Sequence, residues 1–238
     1  MALILSIDTS VSACSVALHQ SGQTIAASHF FIERASSQIL TVTIQQLVEN
    51  TGFRLSDMAA IAITKGPGSY TGLRIGTATA KGLCFTLQKP LIAVNTLEAM
   101  THEVSSFFIS QSYYFCPMID ARRMEVYCGV YNEQLQTILP IEAKVIDENS
   151  FADVLVNQKV VFFGDGSDKC KVKLSHQSNA FFIRGIRPSA QQVGELAWLS
   201  FQKTIFEDIE TFEPFYLKEF ISSKEVLNNA NQGLKKTK

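Results

Sequence analysis

Short apolar blocks alternate with polar turns along the chain, and the order of blocks in the first half recurs in the second. Leu3 to Ile7 is an apolar run closed by Asp8, and Cys14 to His19 is the next strand-like block. Tyr113 to Ile119 is closed by Asp120, and Glu125 to Tyr131 follows in the same way. Each half then carries a glycine turn after an apolar strand. These are Gly66-Pro67-Gly68-Ser69 after Ile61 to Ile63, and Gly164-Asp165-Gly166-Ser167 after Val160 to Phe163. Two parallel runs of the same elements predict a duplicated unit.

The first unit begins with strands at 3–7, 14–19 and 24–32, with Gly22 at a turn. Ser36-Ser37 offers an N-cap, and Leu40, Ile44, Leu47 and Val48 recur on one helical face until Gly52. Met58 to Ile63 predicts a fourth strand, Tyr70 to Gln88 a second helix stopped by Pro90, and Leu91 to Val94 a short buried strand. The second unit predicts strands near 113–119, 124–132 and 136–146, then a helix near 150–157 and a strand at 159–163. A helix after Gly166, a strand at 180–184 and a helix from Ser189 to about Lys203 complete it. Meander strands followed by alternating helices and strands predict an α/β protein of duplicated βββαβα units with mixed sheets. The two domains expected are 1–108 and 109–222, joined near the polar Ser105 to Ser112, with a polar tail at 223–238.

Composition narrows the function classes. Of 238 residues, 46% are hydrophobic and 18% charged, enough to bury two cores and to leave apolar surface for a partner. A net charge of −1 supplies no global field for nucleic acid. Five cysteines at 14, 84, 116, 128 and 170 form no Cys-x-x-Cys pair, which argues for buried thiols in a reducing compartment. The opening residues lack a basic leader, and no run approaches the roughly 20 apolar residues of a membrane span. A cytoplasmic location without membrane contact is expected. The four histidines, 19, 29, 102 and 176, never stand four apart, so none has a second metal ligand at helical spacing.

The second helix carries a stripe of small residues, Gly72, Gly76 and Ala80, with Gly82 beyond it. A glycine inside a helix costs roughly 1 kcal/mol against alanine, so three sum to about 3 kcal/mol that something must offset. Either a partner's backbone approaches there, or the stripe packs on the protein's own sheet. Leu73, Thr77 and Cys84 beside Arg74 and Lys81 form a short apolar patch flanked by cations, which favours docking. Asp120-Ala121-Arg122-Arg123 reads either as a catalytic cluster with Arg122 or Arg123 clamping an anion or, the favoured reading, as a hairpin tip with its arginines in water. Glu213 to Lys218 reads as a segment returning to the first half on Phe215 and Tyr216, or as an aromatic cover on a core edge.

Several stretches together resemble the TsaB (YeaZ) family over essentially the whole chain. They are Ile7-Asp8-Thr9-Ser10, Lys65 to Gly76 (KGPGSYTGLRIG), Ala80 to Leu83, Asp120 to Tyr127 (DARRMEVY) and Pro214 to Lys218. The resemblance implies an actin/hexokinase/Hsp70 (ASKHA) fold. It implies a non-catalytic subunit, without cofactor of its own, in the synthesis of threonylcarbamoyladenosine in tRNA. The implied partners are a TsaD-type catalytic subunit, in a heterodimer, and a TsaE-type ATPase. A homodimer is implied for the isolated chain, and contact with tRNA is indirect. Carried onto this sequence, the partner-binding residues are Ser36, Leu40, Thr43 and Leu47 on the first helix. On the second they are Tyr70, Gly72, Leu73, Arg74, Gly76, Thr77, Ala80 and Lys81. The catalytic relatives bind metal through His-x-x-x-His on the first helix; the stretch from Ser36 to Asn50 holds no histidine. Asp8, Thr9 and Ser10, with Gly164, Asp165 and Gly166, mark a vestigial nucleotide site, which leaves room for weak ATP or ADP binding. Asp8 and Asp120 are expected to face the cleft. The competing readings are a stand-alone ASKHA phosphotransferase and a metallohydrolase.

Overall fold

The computed structural model describes residues 1–31, 36–108 and 112–218. The first half contains β1 (Leu3–Asp8), β2 (Cys14–Gln20), β3 (Gln23–Phe30), α1 (Ser36–Asn50), β4 (Ala60–Gly66), α2 (Tyr70–Leu87), β5 (Leu91–Asn95) and α3 (Thr96–Ser105). The second contains β6 (Tyr113–Asp120), β7 (Glu125–Tyr131), β8 (Thr137–Val145), α4 (Ala152–Leu155), β9 (Lys159–Phe163), α5 (Ser167–Leu174), β10 (Ala180–Phe182) and α6 (Ala190–Gln202). The sheets run β3-β2-β1-β4-β5 and β8-β7-β6-β9-β10, the same order twice. In each, an antiparallel meander is extended by two parallel strands. The βββαβα duplication expected from the repeated blocks is the architecture.

Helices on both faces explain why the central strands read as unbroken apolar runs. All six residues of β1 are buried, as are six of seven in β4. The edge strand β3 instead alternates between half-buried and exposed positions. On one face of the first sheet, Leu40, Ile44, Leu47 and Val48 of α1 and Ala80 and Cys84 of α2 meet Leu5, Ile7, Val16, Leu18, Ile61 and Ile63.

The other faces are covered by an exchange. Val193 and Ala197 of α6, from the second half, pack on Ile4, Ala60, Ala62, Ile92 and Val94 of the first sheet. Leu97, Met100 and Val104 of α3, from the first half, pack on Phe115, Ile119, Tyr131, Val161 and Phe163 of the second. A division at 108/109 therefore separates the strands but not the packing. The helix α3 escapes the sequence pattern because Asn95 serves at once as the last residue of β5 and as its N-cap. The Asn95 side chain accepts from the N–H groups of Leu97 (2.9 Å) and Glu98 (3.3 Å).

Seating α6 requires a glycine. A Cβ on Gly194 would lie 1.9 Å from Cε1 of His19. His19 is buried, with Nε2 at 3.0 Å from both the Gln191 carbonyl and the Thr24 hydroxyl, and burial lowers its pKa. Several boundaries move from those expected; β3 ends at Phe30 and β10 at Phe182, each two residues early. A 3-10 turn at Leu55–Asp57 precedes β4, which starts at Ala60 rather than Met58. The helix near 150–157 is a single turn, Ala152–Leu155.

Candidate functional site

The end of β1 and the start of α2 approach each other at backbone distance. The Ser69 side chain accepts from the Gly72 N–H (3.3 Å) and caps α2, while the Ser69 N–H donates to the Ser10 carbonyl (2.6 Å). The Thr9 hydroxyl donates to the Gly72 carbonyl at 2.7 Å. A Cβ on Gly68 would lie 2.2 Å from the Ser10 carbonyl oxygen, and one on Gly72 would lie 2.0 Å from that of Thr9. One on Gly76 would lie 2.3 Å from Thr9 Oγ1 and 3.0 Å from Ile63 Cδ1. The glycine stripe is thus offset inside the chain, by the Asp8-Thr9-Ser10 turn and β4.

Most of the residues expected to dock a partner pack inside the chain. Gly72, Leu73, Gly76, Thr77 and Ala80 face inward and are buried. So are Leu40, Thr43 and Leu47 of α1. None presents a side chain to a partner. The side chain of Ser36 lies outside the described residues. Tyr70, Arg74 and Lys81 remain reachable but have partners within the chain. Arg74 Nη1 donates to the Tyr70 hydroxyl (3.0 Å), and Lys81 Nζ donates to the carbonyls of Phe212 (3.1 Å) and Glu210 (3.4 Å).

The outward face of α2 is a different stripe. Thr71, Ala78, Gly82 and Phe85 are exposed, with Ile75 half-buried between them, at the three-and-four spacing of one helical face. A Cβ on Gly82 would meet nothing within 4 Å among the described residues, so no close approach by them accounts for this glycine. Phe85 is 80% exposed, and Val42 on the neighbouring α1 is 51% exposed. The sequence reading took the inward stripe; the three-and-four spacing from Thr71 to Phe85 marks this outward one.

Between the halves lies a cleft of about 760 Å³. Ser10, Ser12 and Ser69 line it from the first half, Asp120, Arg122 and Asp165 from the second. Gly164 and Gly166 are buried behind it. A Cβ on Gly164 would lie 2.3 Å from the Met118 carbonyl, and one on Gly166 2.8 Å from Val126 Cγ1. Asp8 does not face the cleft as expected; it is buried. Its Oδ1 accepts from the Ser10 N–H (3.0 Å) and hydroxyl (2.9 Å), and Oδ2 has no hydrogen-bond partner. Burial outweighs the Ser10 bonds and pushes its carboxyl up to about 6. Asp120 does line the cleft, but Lys169 Nζ sits 2.6 Å from its Oδ1, and the Arg122 N–H donates to the same oxygen. The predicted hairpin tip is present, with Arg122 and Arg123 exposed and both in the left-handed region (φ 74° and 48°). The fit to a magnesium nucleotide is poor: the Asp8 carboxylate is sealed away, that of Asp120 already holds a lysine, and Asp165, the third, lines the cleft with its Oδ1 accepting the Asp120 N–H (3.0 Å). Thr9 is spent on α2.

Among the described residues no three His, Cys, Asp or Glu side chains converge as a metal site would require. No described helix is long and apolar enough to cross a membrane.

Comparison with known proteins follows the same lines. The family described as TsaD, tRNA N6-adenosine threonylcarbamoyltransferase, matches residues 31–238. The tRNA threonylcarbamoyladenosine biosynthesis protein TsaB of Haemophilus influenzae is 36% identical over 124 residues, 52% of this chain and 51% of that protein. The chain thus spans about half the length of that relative. The TsaB protein of Bacillus subtilis is 31% identical over 227 residues, covering 90% of this chain and 93% of the relative. Among solved structures, YeaZ from Pseudomonas aeruginosa superposes with a TM-score of 0.78 at 27% identity, covering 91% of this chain and all of that one. The duplicated fold, the glycine-rich turn and stripe of α2 and a match along nine-tenths of the sequence place the chain in the TsaB family.

Proposed function

We propose that this chain is an accessory subunit in tRNA threonylcarbamoyladenosine biosynthesis, working in the cytoplasm, and that it binds a TsaD-type catalytic subunit through the outward faces of α1 and α2. The observation that carries this reading is Phe85, 80% exposed beside Gly82, whose missing side chain answers to no close approach among the described residues. A smooth groove of Ala78 and Gly82 flanked by Phe85, Ile75 and Val42 suits a helix of a partner, with the aromatic as anchor. The absence of histidine from α1 and the enclosure of Asp8 favour a supporting over a catalytic role. They disfavour the phosphotransferase, since Asp8 is buried and Asp120 holds Lys169, which leaves Asp165 alone of the three carboxylates for magnesium in any weak ATP or ADP binding. A TsaE-type ATPase and tRNA would then be met through the catalytic subunit, and the α1–α2 face would also serve self-pairing of the isolated chain.

The test is co-purification with the TsaD-type subunit of the same cell, scored alongside formation of the modified adenosine with and without this chain. Phe85→Ala and Gly82→Leu should each weaken capture and self-association without loss of thermal stability. Undiminished capture by both variants would remove α2 from the interface. Modification at full rate by this chain alone would end the accessory reading.

A further inference from the structure

Beyond α6 the chain turns back along the first sheet, where the Glu207 N–H donates to the Leu91 carbonyl, and then crosses the mouth of the cleft. Its fastening is unequal at the two ends. On the first half, Phe212 is buried in the α1–α2 core, and Lys81 holds the Phe212 carbonyl at 3.1 Å. The Phe215 N–H donates to the Lys65 carbonyl at 2.6 Å, and the Tyr216 ring lies 4.8 Å from that of Tyr70, which Arg74 covers in turn. Room for this crossing comes from Gly66, at φ +108°, where a Cβ would lie 2.7 Å from the Phe215 carbonyl oxygen. On the second half the fastening is Lys218, whose ammonium pairs with the Glu125 carboxylate on β7. These side chains are 42% and 21% exposed, and the Glu125 carboxylate has no other partner among the described residues.

We propose that residues 212–218 are a strap that ties the two halves together across the cleft, and that the Lys218–Glu125 pair is the end that releases. Phe215 to Lys218 form one wall of the cleft. Release at Glu125 therefore opens that wall while the strap stays rooted on α2. The ion pair is the one charge–charge contact of the fastening among the described residues, so salt loosens it most; the rest is aromatic and cation–π packing, burial and hydrogen bonds to carbonyls.

Hydrogen–deuterium exchange on the full chain tests this. Glu125→Gln at low salt should raise exchange roughly two- to five-fold in 213–218 and at the 120–124 tip, the factor a partly exposed ion pair is worth. β1 and β4 should be unaffected. Wild-type protein in 1 M NaCl, where screening falls to about 3 Å, should show the same rise, and Glu125→Gln should then change no further. Exchanging the charges, Glu125→Lys with Lys218→Glu, should restore the slow rates. Unchanged exchange in Glu125→Gln, failure of the exchanged pair to recover, or a rise spread through β1 and β4 would each overturn the proposal.

Discussion

Replacing Gly72 by alanine adds one methyl group where the Thr9 carbonyl oxygen would stand 2.0 Å away. Ordinary contact there needs at least 3.4 Å, so α2 or the Thr9 turn has to move by more than an ångström. Neither is free to yield. The turn is held by Asp8 through Ser10, and α2 by its Ser69 cap. Overpacking of this kind costs about 1–3 kcal/mol. The displacement also breaks the 2.7 Å bond from the Thr9 hydroxyl to the Gly72 carbonyl, about 1 kcal/mol more. Helix propensity returns up to about 1 kcal/mol. The net loss is about 1–3 kcal/mol. At about 2–4 °C per kcal/mol for a chain of this length, the Tm should fall by about 2–12 °C, read by far-UV circular dichroism on the purified protein. An unchanged or higher Tm would refute the internal packing of the stripe. If that variant also lost its partner, the stripe would return as a docking groove.

Gly82→Ala should behave oppositely, raising stability by roughly 0.5–1 kcal/mol in chemical denaturation, since its Cβ meets nothing. Gly194→Ala should lose about 1–3 kcal/mol against the His19 ring, and an unmoved urea midpoint would mean α6 is not seated as described. Asp8→Asn concerns pH. With a folded pKa of about 6 above an unfolded value of about 3.9, the wild-type carboxyl weakens the fold wherever it is ionised, and that loss is relieved as pH falls from 6 to 4. Asn keeps the acceptor for Ser10 without the charge. The variant should be more stable at pH 8, by up to roughly 3 kcal/mol, with the advantage gone near pH 4. His19, lowered by burial, pulls the other way below about 6.5, but it is common to both proteins and cancels in the difference. A difference that stays flat with pH would sink the assignment to Asp8.

Most strands were legible because burial on both sheet faces leaves β1, β4 and β6 as unbroken apolar runs bounded by Asp8, Gly66 and Asp120. Met58 misled: it is buried before the strand begins, so hydrophobicity alone placed the start of β4 two residues early. The cost of glycine in α2 was also legible, but not its cause. A close approach by a neighbour in the same chain and one by another protein leave the same mark on a sequence. Only the position of Thr9 decides between them. Asp8 was ambiguous in the same way, since a carboxylate at a strand end can turn toward a cleft or into its own turn. What identifies the outward face is negative: the empty space at Gly82, which no residue type announces.

The exchange of α3 and α6 has a consequence for how the molecule comes into being. Although the gene reads as two copies of one unit, each copy carries the cover for the other's sheet. A ribosome that has released only the first copy has exposed Ile4, Ala62 and Ile92 with no α6 to shelter them. Folding therefore has to wait for residue 202, and separately produced copies should be insoluble apart yet reassemble when made together.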